Sequence, residues 1–366
     1  MKNKIILSLV MLLSIAQLSF AGATEDLWTA LKGANYPNAL TAITAGADVK
    51  SLDPAFGTPL NLASCWADAN VVKALIDAKS EINFVATNGN TPLMNAAAWG
   101  NTEAVKLLLA AGADVKMKNK IGSTMLSMAI PSVKLEIIKL LVAAGADPLE
   151  KFDVMSVKGI TLMNTLIVAY EGKEKIEHLK ATGTTLAKLN VTYPPSIANA
   201  KETDFTPLYD IAKYLIEKGV QVNQKVAGTW GSTIYQATEF GKTGVVLAMI
   251  EAKADMEVIG QIHGGVKGRE NLYDATPLLI AALKGNNELV EAFCKAGANV
   301  NYLAVQSKGT VTTEATTTGT TYTRINTTEY NTALSLASDN GHPETAEIIK
   351  KYGGLAPKEA KKLKKK

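Results

Sequence analysis

The stretch of sequence that decides the fold is Ala45-Gly46-Ala47-Asp48-Val49. The same five residues recur at Ala111–Val115, and they recur at Ala144–Pro148 with proline in place of the valine. Ala296–Val300 repeats the pattern with asparagine in the fourth position. The glycines of the first three copies are 66 and 33 residues apart, so the pattern predicts an array of structural repeats with a period of 33 residues.

Nine positions, which we call the markers, occupy the place of that glycine along the chain. Their spacings are 33, 33, 33, 38, 36, 34, 44 and 56 residues. A marker glycine is expected to close a helix in the left-handed conformation, which a lysine adopts at a cost of roughly 1–2 kcal/mol. The markers are Gly46, Lys79, Gly112, Gly145, Gly183, Gly219, Lys253, Gly297 and Gly353.

A second motif, Thr-Pro-Leu or a close variant of it, begins 21 residues before five of the markers. Threonine caps a helix, and proline is tolerated in the first turn because an N–H there would have no partner within the helix. The motif predicts two helices in each repeat, the first beginning after the threonine and the second ending at the marker. The five threonines are Thr58, Thr91, Thr124, Thr276 and Thr332, and glycines at 100, 241, 285 and 341 mark the turn between the helices.

These two motifs in fixed phase resemble the ankyrin repeat family over residues 25 to 354. The resemblance implies an all-α solenoid of about nine repeats, residues 24–354, with β-hairpin fingers between repeats and a concave groove that binds proteins. The histidine that usually follows Thr-Pro-Leu in the family is absent, and residues 149–225 are degenerate. There Thr206-Pro207-Leu208 lies only 11 residues before Gly219, so we expect it to open a second helix instead of a first.

Two connections are longer than the period requires, by 11 residues before Thr276 and by 23 before Thr332. We expect fingers at 259–275 and 303–328. The second is rich in threonine, which favours strands, and Tyr302–Ala315 and Thr320–Tyr330 are predicted to form a two-stranded ribbon that turns near Thr318-Gly319. A flexible low-complexity loop is the alternative.

Residues 1–23 have the features of an export signal. Two lysines precede an apolar run from Ile5 to Phe20, and small residues follow it. Cleavage is expected after Ala23, with Ala21 nearly as good, and a membrane anchor is the alternative. We therefore expect an exported protein, periplasmic or extracellular, and the residue usage favours a bacterial source.

The basic character of the chain is concentrated at its C-terminus. Residues 355–366 contain six lysines and one glutamate, and they are predicted to be a disordered tail. A tail without a role and a weak contact with an anionic envelope surface are alternative interpretations. Without residues 1–23 and this tail, the net charge of the body is about −3, so a basic groove for nucleic acid is not expected.

The sequence predicts no catalytic residue, no cofactor site and no metal site. Phe240-Gly241-Lys242-Thr243 lacks the earlier glycine of a phosphate-binding loop, since Gln236 stands there. Histidines occur at 178, 263 and 342, without ligand spacing, and His342 is expected to have a structural role in a turn between helices. Cys65 and Cys294 lie six repeats apart and are expected to be free thiols.

Three aromatic residues are candidate partner-binding residues because they immediately precede the turn between helices. Trp66 and Trp99 are 33 residues apart and so occupy equivalent places in adjacent repeats, and Phe240 has the same phase in a later repeat. In proteins similar to this one, the end of the first helix lines the concave groove, where large aromatics are typical of binding hot spots. Packing against a neighbouring finger is the alternative.

The sequence therefore predicts a non-catalytic, exported scaffold that binds a protein partner through its groove and fingers. We expect it to be a monomer. A secreted effector that binds a host protein is one alternative, and an enzyme hidden in the degenerate repeats is another.

Overall fold

The computed structural model describes residues 21–154, 157–167, 208–224, 232–262, 272–316 and 319–363. Their contacts divide the chain into two compact units, with described residues 21–165 in unit 1 and residues 166–167 and 208–363 in unit 2. Each unit is built from pairs of short helices joined by tight turns, and loops or strands connect one pair to the next.

The described residues of unit 1 form four helix pairs. The first helix of each pair packs on the first helix of the next from α3 to α7, and the second helices pack in the same way from α2 to α8. The helices are α1 (residues 21–32), α2 (Tyr36–Thr44), α3 (Pro59–Trp66), α4 (Ala69–Asp77), α5 (Pro92–Trp99), α6 (Thr102–Ala110), α7 (Met125–Ala129) and α8 (Leu135–Ala143). A hairpin of β1 (Phe152–Val154) and β2 (Val157–Ile160) follows, and α9 (Leu162–Ile167) crosses the boundary between the units.

Unit 2 repeats this arrangement. Its second helices α10, α12, α14 and α16 pack in order on one another, as do its first helices α11, α13 and α15. The helices are α10 (Leu208–Glu217), α11 (Thr233–Glu239), α12 (Thr243–Glu251), α13 (Pro277–Lys284), α14 (Asn287–Lys295), α15 (Ala333–Asp339), α16 (Pro343–Lys351) and α17 (Pro357–Leu363). Because α10 begins at Leu208 and packs on α12, it is a second helix, as the sequence predicts.

The two motifs have the local roles that the sequence assigns to them. All five threonines are helix N-caps, and in four of them the side chain accepts a backbone hydrogen bond; in Thr276 it does not. Every marker in the described residues has a positive φ, including Lys79 at 66° and Lys253 at 58°. Gly183 lies outside the described residues.

One turn between helices departs from the pattern. Val133 stands 33 residues after Gly100, and like Gly100 it is left-handed, with φ of 53°. The turn is preceded by a 3-10 segment, Ile130–Ser132, instead of further α-helix. A β-branched residue in this conformation is a genuine outlier, so the fourth repeat has a strained turn at this point.

The two long fingers of unit 2 form one antiparallel sheet. Its strands are β3 (Gly260–Ile262), β4 (Leu272–Ala275), β5 (Ala304–Thr316) and β6 (Gly319–Asn331), in the order β3-β4-β5-β6. The ribbon predicted from the threonine-rich stretch is confirmed: β5 and β6 pair without a break from Ala304 opposite Asn331 to Thr316 opposite Gly319.

One core cluster of unit 2 lies where this sheet meets the helices. Tyr235 is fully buried there, with Leu279, Ile280 and Leu336 around it. Gly260, at the start of β3, lies so close to the ring of Tyr235 that an added Cβ would come within 2.4 Å of it. Glycine at this position therefore lets the first strand pass across the aromatic ring.

The prediction of a disordered tail at 355–366 is wrong for its described part. Residues 357–363 form α17, and Ala360 is buried. The tail has no apolar stripe, and the residues that contact it, Asn301 and Tyr330, are distant from it in the sequence. Residues 364–366 lie outside the described residues, as do residues 1–20 of the predicted signal.

Candidate protein-binding surfaces

The two tryptophans that the sequence singles out are in direct contact. Trp66 ends α3, Trp99 ends α5, and their ring centroids are 4.9 Å apart with an edge-to-face angle of 88°. Trp66 is only 8% exposed and Trp99 is partly exposed. The interpretation of Trp66 as an exposed groove residue is therefore wrong, because the neighbouring repeat covers it. The two tryptophans pack on each other, and Trp99 keeps part of its surface exposed.

Side chains from neighbouring repeats hold these turns together. The Tyr36 hydroxyl donates to the Trp66 carbonyl oxygen over 3.1 Å. Burial, and in second place the charge of Asp68, raises the pKa of Tyr36 to about 12, so this hydroxyl keeps its proton at neutral pH. In the next repeats Lys134 Nζ donates to the Gly100 carbonyl oxygen over 2.8 Å. The edge of unit 1 that carries the tryptophans is thus fixed from one repeat to the next.

Phe240 is exposed as the sequence predicts. It is the C-cap residue of α11, its side chain is 56% exposed, and the left-handed Gly241 follows it. Phe240 belongs to unit 2, whereas the tryptophan pair belongs to unit 1. The structure therefore brings two of the three predicted site residues together and places the third in the other unit.

A second apolar surface lies on the connections between repeats of unit 1, and sequence reasoning missed it. Among the described residues of this unit, the large hydrophobic side chains that are exposed lie in these connections, with exposed fractions from 43 to 64%. We call them the finger row: Leu52, Val85, Ile121 and Leu149. The signal was present in the sequence, since Leu52 and Val85 are 33 residues apart and so occupy equivalent places in adjacent connections.

Polar contacts join three successive fingers of unit 1. The backbone N–H of Asp114 donates to Asn83 Oδ1 over 2.9 Å, and Lys120 Nζ donates to the Thr87 carbonyl oxygen over 2.8 Å. Both bonds join the finger of Val85 to the finger of Ile121. An ion pair of 2.6 Å between Lys118 and Glu150 joins the latter to the finger of Leu149.

The first finger is fixed to the start of the array by a charged contact. Lys32 Nζ lies 2.7 Å from Asp53 Oδ2, and it also lies above the rings of Trp28 and Phe56 at 5.6 and 5.9 Å. Burial alone would raise the pKa of Asp53, but hydrogen bonds from Lys32 and from two backbone N–H groups lower it below its ordinary value. The carboxylate therefore stays charged and keeps the finger of Leu52 in place.

Among the described residues, no group of three or more histidine, cysteine, aspartate or glutamate side chains could hold a metal ion. A cavity of about 170 Å³, lined in part by Lys116, Asp147 and Glu150, is smaller than the 300–1,000 Å³ of ordinary ligand sites. His342 N-caps α16 and its Nε2 lies 3.2 Å from the Leu283 carbonyl oxygen, which is a structural role.

The two thiols are free and buried, as the sequence predicts. Burial raises the pKa of Cys65, and burial together with the charge of Glu291 raises the pKa of Cys294 to about 11. Both cysteines are therefore protonated at neutral pH. In the part of the chain that the structure covers, no helix is both long and apolar enough to span a bilayer.

Comparisons with known proteins agree with the repeat architecture. Residues 27–119 and 60–152 match the model of three ankyrin repeats, and residues 273–304 match the single ankyrin repeat. The structure is also similar to the crystal structure of the human ASB11 ankyrin repeat domain, with 18% identity, a TM-score of 0.48, and coverage of 81% of this chain and 99% of that chain. No curated protein matches the chain. The matched segments support the ankyrin repeat family, and the fold is the helical repeat fold with hairpin loops that the sequence predicts.

Proposed function

We propose that this chain of ankyrin-type repeats is a non-catalytic scaffold that binds a protein partner through the finger row. Ankyrin repeats are general protein–protein interaction scaffolds, and proteins built from them are typically not enzymes. The observation that carries the proposal is the finger row itself. Four large apolar side chains stay exposed on successive connections of unit 1, and polar contacts join three of these fingers to one another. Exposed large apolar side chains that cluster in one part of a surface are typical of interaction sites.

The partner contact extends to the aromatic residues at the turns. Trp99 offers a partly exposed ring that the buried Trp66 holds in one orientation. A ring that is already fixed loses little side-chain entropy on binding. Phe240 provides a second exposed anchor on unit 2.

Export is the second part of the proposal. Residues 1–23 act as the signal, and the mature chain begins at Thr24 and works as a monomer outside the cytoplasm. N-terminal sequencing of the protein from its native cell tests the cleavage, and sedimentation tests the monomer. Fractionation then separates a periplasmic scaffold from an effector released into the medium, and a chain that keeps its first residues would contradict export.

The test of binding uses a partner captured from the native compartment and then purified. Leu52→Ser combined with Val85→Ser should weaken binding of the partner by about thirtyfold. The reason is that burial of each exposed side chain by the partner would contribute roughly 1 kcal/mol to the binding free energy. Ala55→Ser combined with Thr87→Ser, on exposed positions of the same two fingers, is the matched control and should bind normally.

Trp99→Ala and Phe240→Ala test the aromatic anchors separately. Each should weaken binding by about thirtyfold if its ring is a hot spot. Unchanged melting temperatures would show that the finger variants remain folded. If all the variants bind like the parent protein, the proposed surfaces are wrong, and turnover of a substrate by the purified chain would overturn the scaffold itself.

A further inference from the structure

The segment that follows the last marker is fixed to the final repeat before α17 begins. Asn301 Oδ1 accepts a hydrogen bond from the backbone N–H of Leu355 over 2.8 Å, and Asn301 Nδ2 donates to the Gly353 carbonyl oxygen over 3.1 Å. Thr332 Oγ1 donates to the Leu355 carbonyl oxygen over 2.8 Å. The chain therefore leaves the last repeat along one defined path.

Further contacts seat the helix and the turn before it. Ala360 is only 2% exposed, and Lys361 Nζ lies 3.6 Å from the centroid of the Tyr330 ring at the end of β6. Gly354 approaches Ile349 so closely that an added Cβ would lie 2.2 Å from its side chain. The close approach and the cation–π contact hold α17 in one orientation against the end of unit 2.

The outer side of this seated helix is basic. Lys358, Lys361 and Lys362 are exposed, and Glu359 is the acidic residue of the helix. The sequence continues with three more lysines at 364–366. Leu363, among these lysines, is 55% exposed.

We propose that α17 is the element by which the protein binds an anionic lipid surface. Several lysines on a folded helix attract an anionic leaflet within a Debye length, and the attraction weakens as salt rises. Because α17 packs on the final repeat, the end of unit 2 itself contacts the bilayer, and no flexible linker lies between the helix and the repeats. This inference needs no protein partner, so it stands or fails independently of the proposed function.

Leu363 favours a bilayer over a soluble polyanion. An exposed leucine among lysines can enter the boundary between headgroups and acyl chains, as apolar residues of interfacial helices do. A soluble polyanion offers the same charge but no apolar layer, so it gains nothing from this side chain.

The test measures binding of the mature full chain to vesicles, by sedimentation. Vesicles of equal parts phosphatidylglycerol and phosphatidylcholine should bind the protein at low salt, and vesicles of phosphatidylcholine alone should not. Lys358→Gln combined with Lys362→Gln should lower the partition coefficient about thirtyfold, since one lysine near an anionic leaflet is worth roughly fivefold. This pair leaves the Lys361–Tyr330 contact in place.

Two controls make the outcome decisive. Lys50→Gln combined with Lys151→Gln removes the same charge from exposed positions of unit 1 and should leave vesicle binding unchanged. Leu363→Ser should lower vesicle binding about fivefold, as expected for half of a leucine entering an apolar layer, and should leave binding to soluble polyphosphate unchanged. The proposal is overturned if anionic vesicles do not bind, if both lysine pairs have equal effects, or if Leu363→Ser has none.

Discussion

The left-handed lysine at the second marker should be replaceable by glycine with a gain in stability. Lys79 lies just after α4 and has a φ of 66°. Its backbone N–H donates to the Ile76 carbonyl oxygen, and the backbone N–H of Ser80 donates to the Leu75 carbonyl oxygen. Gly112 ends α6 with the same pair of bonds. The left-handed conformation costs a residue with a Cβ roughly 1–2 kcal/mol more than it costs glycine. Glycine, however, has more conformational freedom in the unfolded chain, and the loss of this freedom on folding offsets part of the difference. Lys79→Gly should therefore raise the free energy of unfolding by about 0.5–1 kcal/mol.

Urea denaturation followed by tryptophan fluorescence measures this change, because three of the four tryptophans, Trp28, Trp66 and Trp99, lie in unit 1. Lys79→Ala is the matched control. It removes the ammonium group but keeps the Cβ, so its free energy of unfolding should stay within a few tenths of a kcal/mol of the parent value.

The reverse substitution isolates the backbone. A Cβ added at Gly112 meets no atom within 4 Å, so Gly112→Ala changes the conformational cost without a clash. It should lower the free energy of unfolding by about 1 kcal/mol. If Lys79→Gly leaves the free energy of unfolding unchanged while Gly112→Ala lowers it, contacts of the Lys79 side chain offset the backbone strain at Lys79. If both substitutions are neutral, the reasoning about the markers is wrong.

Three other predictions concern packing, pH and thiols. Trp66→Ala should lower the free energy of unfolding by about 3–5 kcal/mol, measured by circular dichroism in urea, because a buried ring is lost; a loss below about 1 kcal/mol would restore the groove interpretation. Because the pKa of Asp53 is lowered in the folded protein, the charged carboxylate stabilises the fold at pH values above about 4, the ordinary pKa of an aspartate. This stabilisation is lost as the pH falls through the pKa of Asp53 in the folded protein. Lys32→Met should therefore flatten the acid limb of a stability–pH curve, and an unchanged limb would contradict the pairing. Cys65 and Cys294 should resist a thiol reagent in the native protein and both react in denaturant; a disulfide in the native chain would refute this.

Local and periodic features of the fold could be predicted from the sequence. The place of a marker follows from counting 33 residues, and the conformation there follows from hydrogen bonds within one helix end. This is why Lys79 and Lys253 could be placed in the left-handed region although neither is glycine. The ribbon of β5 and β6 could also be predicted, because the threonines of this stretch are β-branched and such residues favour strands.

The features that sequence reasoning missed depend on distant neighbours. The phase of Trp66 places it at the end of a first helix but does not reveal that the ring of the next repeat covers it. The tail looks unstructured because its anchor, Asn301, precedes Leu355 by 54 residues. Burial of a single residue such as Ala360 leaves no pattern in the sequence.

The ribbon of β5 and β6 has a consequence for engineering. Each strand has 13 residues, about 40 Å of extended chain, whereas a helix of nine residues such as α14 is about 14 Å long. The neighbouring strand β4 pairs with only Val305 and Gln306, so most rungs of the ribbon lie beyond that support. Cargo such as an epitope or a fluorescent domain, inserted between Thr316 and Gly319, would sit many rungs away from the helices. The hairpin is thus a ready site for a reporter that leaves the repeats undisturbed.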